Sequence, residues 1–376
     1  MIFSVLTVFL TVMLGASSFI LGIMEGIADF SASSLDYISG YLSDRTGKRK
    51  AFALFGYSFS TLAKMILVFV SSIPAVITFR VVERLGKSIR GAPRDALIST
   101  IAEKKKIGFA FGFHKTLDKA GAILGPIVAY GIITLLGQNL GSFQVVFRTA
   151  VIPALLSVCI MALFVREKPV QPATLSHAGF FSNYKFLGKP FQRYLKIAGF
   201  FSLAYFSFAF LLLKAYTAGF EIKDVVLLYA LFNVSFTLIS IPVGKIGDRI
   251  GRRAVIISEY ILYALMCLGF IFATTKVEII GLFLVYGIFY AIDEGQTKAF
   301  ISDITEEKNR ASAIGLYNFI SGLMYLPASL LAGWLWNAYT PSAAFGTAGA
   351  IAVVAAVFFT FLQPKPEIHH AQSNPH

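Results

Sequence analysis

Apolar residues fall into twelve runs along the chain, and each run is bounded by charged residues or by a turn-forming cluster. Most runs approach the ~20 residues that a helix needs to cross the hydrocarbon core of a bilayer. The pattern predicts an all-α polytopic membrane protein with twelve transmembrane helices. The predicted spans lie near residues 2–14, 17–41, 51–72, 74–101, 107–136, 143–165, 194–216, 222–246, 254–275, 277–302, 310–337 and 342–362.

The first apolar run is shorter than the others, because it reaches a turn at residues 15–18 after only fourteen residues. A cleaved signal peptide would explain a short first run, but such a peptide begins with basic residues. The first Lys or Arg of this chain is Arg45. We therefore expect the chain to begin inside its first helix, through a truncation or a misassigned start codon.

Two segments of the chain recur about two hundred residues later. Residues 40–50 are repeated at 244–254, an offset of 204, and residues 96–99 are repeated at 299–302, an offset of 203. Parallel repeats of this kind are found in secondary transporters, where the substrate binds between the repeats near the membrane midplane. The predicted organisation is a six-helix bundle, a cytoplasmic linker, a second six-helix bundle and a polar cytoplasmic tail, at 1–165, 166–193, 194–363 and 364–376.

Composition and charge support the same class of protein. Hydrophobic residues make up 56% of the chain and charged residues 14%, whereas soluble domains carry about 25% charged residues. The net charge of +13 follows the predicted loops, since alternate loops hold twenty Lys and Arg residues and the other loops only two. Cytoplasmic loops are the basic ones, so we expect a multi-pass protein of the cytoplasmic membrane with both termini of the full-length chain in the cytoplasm. The charge then reflects topology, and no nucleic-acid partner is expected.

The repeated loop reads GYLSDRTGKRK in its first copy and resembles motif A of the major facilitator superfamily. The resemblance implies that superfamily's fold and a gate built from the two loops, with Asp44 and Asp248 clamping the cytoplasmic ends of the bundles beside Arg45 and Arg249. We expect Gly40 to end a helix. The alternative is a loop that serves topology alone. The remaining motif positions are Gly47, Arg49, Gly244, Gly251 and Arg253.

A glycine pattern in the fifth predicted span resembles motif C of the same superfamily, which marks antiporters. The matching residues are Gly112, Gly121, Gly125 and Pro126. The sequence departs from that motif where Ala129 and Tyr130 replace its closing glycine pair. The alternative is ordinary packing of small residues between helices.

The fourth predicted span contains a stripe of basic residues at helical spacing. A charge at the bilayer centre costs about 2.5–3.5 kcal/mol, so this stripe should line an aqueous cavity or meet acidic residues. Arg80 matches the arginine of motif B, which is linked in the superfamily to proton transfer, and residues 84–98 resemble a largely uncharacterised prokaryotic subgroup. The alternative is a set of salt bridges that only hold helices together. The charged residues are Arg80, Glu83, Arg84, Lys87, Arg90 and Arg94.

Acidic residues in neighbouring spans could carry a proton. Glu25 and Asp29 lie one turn apart in the second span, and His114 and Asp118 lie one turn apart in the fifth. Asp29 is the first choice of proton carrier, because it is close to the middle of its run. The repeat places Asn233 at the position of Asp29, so we expect ionic function to be concentrated in the first bundle.

The chain lacks a P-loop, an H-E-x-x-H sequence and a G-x-S-x-G sequence, so neither an ATP-driven pump nor a hydrolase is indicated. We expect no enzyme activity, no cofactor and no metal. The predicted function is secondary active transport of a small, anionic solute by a monomer, through proton-coupled export. The alternatives are proton-coupled uptake and a receptor or scaffold that transports nothing.

Overall fold

The computed structural model describes residues 1–101, 107–167, 187–306 and 309–362. Its description omits the side chains of residues 34, 37, 44, 107–109, 248 and 311. Most of the predicted linker and the whole predicted tail lie outside these ranges. The boundaries given to the two bundles therefore stay a prediction.

The described residues form thirteen α-helices and one π-helix, and no strand occurs among them. The predicted all-α architecture is confirmed. The helices are α1 (Ile2–Val8), which a π-helix (Phe9–Met13) continues, α2 (Ser18–Thr46), α3 (Arg49–Leu67), α4 (Ile73–Ile101), α5 (Ile107–Leu136), α6 (Leu140–Leu163), α7 (Lys189–Ser202), α8 (Ala209–Thr217), α9 (Ile222–Ile250), α10 (Arg252–Phe272), α11 (Lys276–Asp303), α12 (Arg310–Ala338) and α13 (Pro341–Leu362). We refer to α1–α6 as the first set and to α7–α13 as the second set.

Six of the described helices contain segments long and apolar enough to cross a membrane. They are Ala110–Leu136, Leu140–Leu163, Ile222–Gly247, Arg252–Phe272, Ser312–Ala338 and Pro341–Phe361. Helices α2 and α4 are as long as these, with 29 residues each, but carry acidic and basic side chains along their length. Their charges must therefore be accommodated inside the protein.

The span predicted near 194–216 is interrupted, so the expectation of a continuous helix there is wrong. Helix α7 ends at Ser202 and α8 begins at Ala209, although no Pro or Gly lies between them. The Tyr263 hydroxyl donates to the Ala204 carbonyl at 2.7 Å, and the Ser207 backbone N–H donates to Ser329 Oγ at 3.3 Å. Non-helical backbone is tolerated at membrane depth only where protein or a cavity satisfies its polar groups. Here side chains of α10 and α12 provide those hydrogen bonds.

The repeated loop holds equivalent contacts in both copies. Arg49 at the start of α3 donates to Thr100 Oγ1 at 2.7 Å, and Arg252 at the start of α10 donates to Asp303 Oδ1 at 2.6 Å. Each pair is separated by 51 residues. The two pairs are related by an offset of 203 rather than the loop's 204, because α3 begins two residues after Gly47 whereas α10 begins directly after Gly251. The duplication seen in the sequence is therefore accompanied by the same helix-to-helix contact.

The expectation that Gly40 ends a helix is wrong, because α2 continues to Thr46. Gly47 follows with a φ of +67°, and in the second copy α9 continues to Ile250 before Gly251, whose φ is +88°. A positive φ favours glycine because a Cβ would be strained there. The second glycine of each loop, rather than the first, is the residue that ends the helix.

The two sets meet closely along α2 and α12. A Cβ on Gly22 would overlap the backbone carbonyl of Ser329, and a Cβ on Gly333 would lie 2.7 Å from the carbonyl of Ser18. Without a hydrophobic driving force in lipid, such close approach lets van der Waals contact hold helices together. The two sets can approach this closely because glycine has no side chain at these positions.

Replacing Gly22 with Ala should destabilise the protein, because the added methyl group meets backbone that cannot rotate away. We expect a loss of about 1–3 kcal/mol, measured as a lower thermal unfolding temperature in detergent. Gly131 is the matched control, since a Cβ there meets nothing within 4 Å. Gly131→Ala should be neutral or stabilising by up to about 1 kcal/mol. Equal effects of the two substitutions would contradict this account of the interface.

Candidate functional site

A cavity of about 360 Å³ lies between the two sets. Its two walls differ in chemistry: charged residues of the first set face aromatic residues of the second. The first wall consists of Phe3, Glu25, Asp29, Arg80, Glu83, Arg84 and Lys87, and the second of Tyr205, Phe206, Ser207, Phe208, Tyr229, Phe232, Tyr286, Tyr290, Asp293 and Tyr325. The structure therefore brings together six of the predicted site residues, on α2 and α4.

A bidentate salt bridge joins Glu25 of α2 to Arg80 of α4. Arg80 Nε donates to Glu25 Oε1 and Arg80 Nη2 to Glu25 Oε2, each at 2.9 Å. Both residues are buried, with 1% and 6% of their surfaces exposed. The Phe3 ring covers the guanidinium at 4.8 Å from ring centroid to Arg80 Cζ. Two parallel charge-assisted hydrogen bonds fix the orientation of both side chains.

The interrupted segment between α7 and α8 reaches the same salt bridge. Ser207 Oγ donates to Glu25 Oε2 at 3.0 Å, and this hydrogen bond is buried. The backbone of Ser207 is held by Ser329 of α12. A carboxylate of the first set is thus linked to the second set through one hydroxyl group. A change in the charge of Glu25 would therefore alter contacts on both sides of the cavity.

The other acidic residues of the first wall are also paired. Asp29 forms an ion pair with Arg84. Glu83 lies 3.6 Å from Lys64 Nζ of α3 and 3.4 Å from Arg80 Nη1. The acidic and basic residues of this wall therefore largely neutralise one another.

Lys87 differs from its basic neighbours. Its side chain is exposed to the cavity, and it forms no salt bridge within the described part of the chain. It also lines a second cavity of about 740 Å³ on the α5 side. That cavity contains Asp118, Lys119, Asn233 and the ion-paired residues Lys115 and Glu294. Lys87 therefore provides a positive charge where the two cavities meet.

The aromatic wall combines apolar ring faces with hydroxyl groups. Tyr286 donates to the Tyr205 hydroxyl oxygen at 3.4 Å, and the rings of Tyr205 and Tyr325 are 5.4 Å apart. Phe232 packs edge-on against Tyr290 with centroids 5.5 Å apart. Such a surface can stack on a planar or ring-shaped solute and accept or donate hydrogen bonds at its rim.

The basic stripe of α4 does not act as one surface. Arg80, Arg84 and Lys87 reach the central cavity, but the Arg90 guanidinium lies over the Tyr57 ring at 4.3 Å. Arg94 Nη2 binds the neighbouring Asp95 at 2.8 Å. Neither Arg90 nor Arg94 lines the central cavity, so the role of these two residues stays a prediction.

The predicted residues of α5 are divided in the same way. Asp118 lines the second cavity, whereas His114 lines neither cavity. A Cβ on Gly112 or Gly121 would meet nothing within 4 Å, and Gly125 lies beside Met1. Close helix packing therefore does not require the first two of these glycines, and the role of this pattern stays a prediction.

The charged ends of the repeated loops are only partly described. Arg45 and Arg249 are exposed, and Arg253 Nη2 donates to the Thr360 carbonyl at 2.7 Å. The side chains of Asp44 and Asp248 lie outside the description. The proposed clamp of these loops stays a prediction.

The sequence analysis did not single out the aromatic residues of the second wall, Ser207 or Lys64. A usable signal existed for part of that wall, because Tyr286, Tyr290 and Asp293 are spaced at i, i+4 and i+7 and so share a helix face. Asp293 of α11 faces the same cavity as the six charged residues of the first set, and the concentration of ionic function in the first bundle stays a prediction.

Comparison with known proteins identifies relatives along the whole chain. The sequence model of the Major Facilitator Superfamily matches residues 1–292 and 197–376. An uncharacterised MFS-type transporter of Methanocaldococcus jannaschii is 35% identical over 354 residues, which cover 93% of this chain and 87% of that protein.

Solved structures share the fold at low sequence identity. A mutant of the nucleoside transporter NupG superimposes with a TM-score of 0.80 at 14% identity, over 95% of this chain and 94% of that one. A D-xylose–proton symporter gives a TM-score of 0.73 at 16% identity, over 97% and 93%. These likenesses show the fold and carry no information about the solute.

Breaking the Glu25–Arg80 pair should destabilise the protein strongly. Arg80→Gln alone leaves the buried Glu25 carboxylate without its cation, which costs about 3–5 kcal/mol. Glu25→Gln should cost less, because Arg80 keeps Glu83 at 3.4 Å. The double variant should lose less than the sum of the single losses, because neither charge is then orphaned. Thermal unfolding in detergent measures all three. Glu221→Gln is the control, since Glu221 pairs with Lys223 on the exposed surface, and additive single effects would contradict the pairing.

Proposed function

The chain belongs to the Major Facilitator Superfamily, and from this membership we propose that it moves a small anionic solute by proton-coupled alternating access. The superfamily consists of multi-pass membrane transporters, so the protein is a transporter of small molecules rather than an enzyme. The observation that carries the finer proposal is the cavity between the two sets, with charges on one wall and aromatic hydroxyls on the other.

The proposal includes twelve spans. In this interpretation α1 and the π-helix together form the first span, and α7 and α8 form one interrupted span. Broken helices at the substrate site are common in transporters, because unwound backbone can bind ligands there. The tip of this break, Ser207, lies at the cavity and contacts Glu25. The protein would be a monomer in the cytoplasmic membrane, with both termini of the full-length chain on the basic side.

Contacts at the less basic end of the helices support alternating access. Gln138 Nε2 donates to Glu221 Oε2 at 3.2 Å, and the Ile222 backbone N–H donates to Gln138 Oε1 at 3.1 Å. These bonds connect the α5–α6 turn of the first set to the start of α9 in the second set. The first bond is exposed and the second is half-buried, so both can break when the sets rock apart. We assign them to the outer gate, and the repeated basic loops to the inner gate.

The cavity favours a small solute with a ring and a negative charge. Its volume of about 360 Å³ lies at the lower end of the ~300–1,000 Å³ that is typical of ligand sites. Lys87 offers an unpaired ammonium group, whereas Arg80 and Arg84 already have carboxylate partners. A solute whose anionic group faces Lys87 would place its ring against Tyr286 and Tyr290.

Export is the direction we propose, on the basis of the glycine pattern that resembles motif C in α5. Uptake is the alternative. Counterflow measured in proteoliposomes at opposite pH gradients separates them, because an antiporter accumulates solute in the compartment with more protons and a symporter in the compartment with fewer. A complete absence of flux for every solute tested would instead favour the receptor or scaffold.

Locking the outer gate should stop transport. In a background with Cys159→Ala and Cys267→Ala, the pair Gln138→Cys and Glu221→Cys places one thiol on each side of the wild-type hydrogen bond. A bifunctional methanethiosulfonate reagent that spans the two thiols should abolish flux in proteoliposomes, and reduction should restore it. Each single cysteine variant is the control and should be insensitive to the reagent. Unchanged flux with the cross-link formed would rule out this gate.

Removing the charge of Lys87 should weaken the binding of anionic solutes. Shikimate, a hydroxylated ring with a carboxylate, and neutral xylose are suitable probes, each tested for its effect on thermal stability. We expect Lys87→Gln to lose about 1.5–3 kcal/mol of shikimate binding, the usual value of a hydrogen bond to a charged group, with no change for xylose. Arg94→Gln is the control, because Arg94 binds Asp95 away from the cavity. Equal shikimate binding by Lys87→Gln and wild type would remove the proposed role.

A further inference from the structure

The second set contains a buried acidic residue that the salt-bridge network of the first wall does not use. Glu259 lies in α10, with 1% of its surface exposed. It forms no salt bridge within the described ranges, and its Oε2 atom has no hydrogen-bond partner there. Each acid of the first wall, by contrast, has an Arg or Lys within 4.0 Å.

Within the described part of the chain, the surroundings of Glu259 offer no cation. The titratable residues whose charges act on it are Tyr194 of α7, Tyr260 of α10, Asp293 of α11 and Tyr325 of α12. An ionised carboxylate without a partner costs several kcal/mol in such an environment. A bound proton removes this cost, because it makes the group neutral.

Asp293 connects this buried group to the cavity. It lines the central cavity and forms no salt bridge within the described part of the chain. Tyr263, one turn after Glu259, packs on Phe289, one turn before Asp293, with ring centroids 4.8 Å apart, so α10 and α11 place the two carboxyl groups at the same level. The charged residues near it on its own helix are Glu294 and Lys298, and the opposite wall of the cavity carries Glu25, Asp29, Arg80, Glu83, Arg84 and Lys87. Two carboxyl groups that interact in this way share protons as a pair.

We propose that Glu259 and Asp293 form the proton-binding site of the transport cycle, with Glu259 holding the occluded proton and Asp293 exchanging it with cavity water. This rests on the proposed proton-coupled function and transfers the role of proton carrier from Asp29, whose charge is balanced by Arg84. In the exchange step, a hydronium ion of the cavity gives its proton to the Asp293 carboxylate. The Asp293 carboxyl then passes a proton to the Glu259 carboxylate, and no other bond changes.

Infrared spectroscopy of the protein in membranes tests the site without any solute. A protonated carboxyl group has a C=O stretch that is separate from the amide bands and shifts in D₂O. At neutral pH the wild type should show this band, and Glu259→Gln should lose it. Glu278→Gln is the matched control, because Glu278 is exposed and accepts backbone hydrogen bonds at the start of α11, so the band should remain.

Asp293→Asn provides a second variant on the cavity wall, should Glu259→Gln not fold. It should alter the frequency of the band or its rate of exchange with D₂O, because the path to the cavity is changed. A band identical to that of the wild type in both Glu259→Gln and Asp293→Asn would overturn the proposal.

Transport measurements distinguish the site from the function on which it rests. With shikimate as probe, Glu259→Gln should retain shikimate–shikimate exchange but lose accumulation driven by a pH gradient, down to the level of wild type treated with a protonophore. Accumulation equal to that of the untreated wild type would overturn the site. Absence of shikimate flux in the wild type would count against the proposed solute class, and the infrared result would still decide the proton site.

Discussion

The buried salt bridge between Glu25 and Arg80 is the interaction on which the central cavity depends. Removing two charges from water is costly, and only good geometry and further hydrogen bonds offset the loss. Here two hydrogen bonds at 2.9 Å, the Ser207 hydroxyl and the Phe3 ring provide them. The pair is therefore stable only while α2, α4 and the α7–α8 segment stay together. If a movement separates the sets, water or solute must replace the Ser207 hydroxyl as a hydrogen-bond donor to the Glu25 carboxylate.

The α7–α8 interruption follows from the same constraint. A continuous helix would satisfy the hydrogen bonds of its own backbone, and helix geometry alone would then set the direction of the Ser207 hydroxyl. The break exposes backbone groups that Tyr263 and Ser329 must then satisfy, which ties the segment to α10 and α12. Ser207 is thus coupled to two further helices of its own set. A small shift of the segment can change contacts on both sides of the cavity without melting a helix.

Some features of the fold could be predicted because they leave a clear pattern in the sequence, whereas others leave none. Helix positions followed from apolar runs, and the charges of the fourth span predicted an aqueous cavity or acidic partners, because lipid cannot accept them. Helix rotation and tertiary partners left no such signal. Arg90 continues the three- and four-residue spacing that joins Arg80 to Lys87, yet its side chain packs on Tyr57. The sequence offered no sign that Glu259 is buried, because its burial depends on how neighbouring helices surround it.

The duplicated positions explain the asymmetry of the cavity. With the offset of 204 that relates the repeated loops, Glu25 corresponds to Tyr229. With the offset of 203, Glu83 corresponds to Tyr286 and Lys87 to Tyr290. All six residues line the cavity, so the two sets present the same backbone positions but exchange charge for aromatic hydroxyls. The framework contacts of Arg49 and Arg252 are equivalent while the lining differs, so the same fold encloses a cavity that is charged on one side and aromatic on the other.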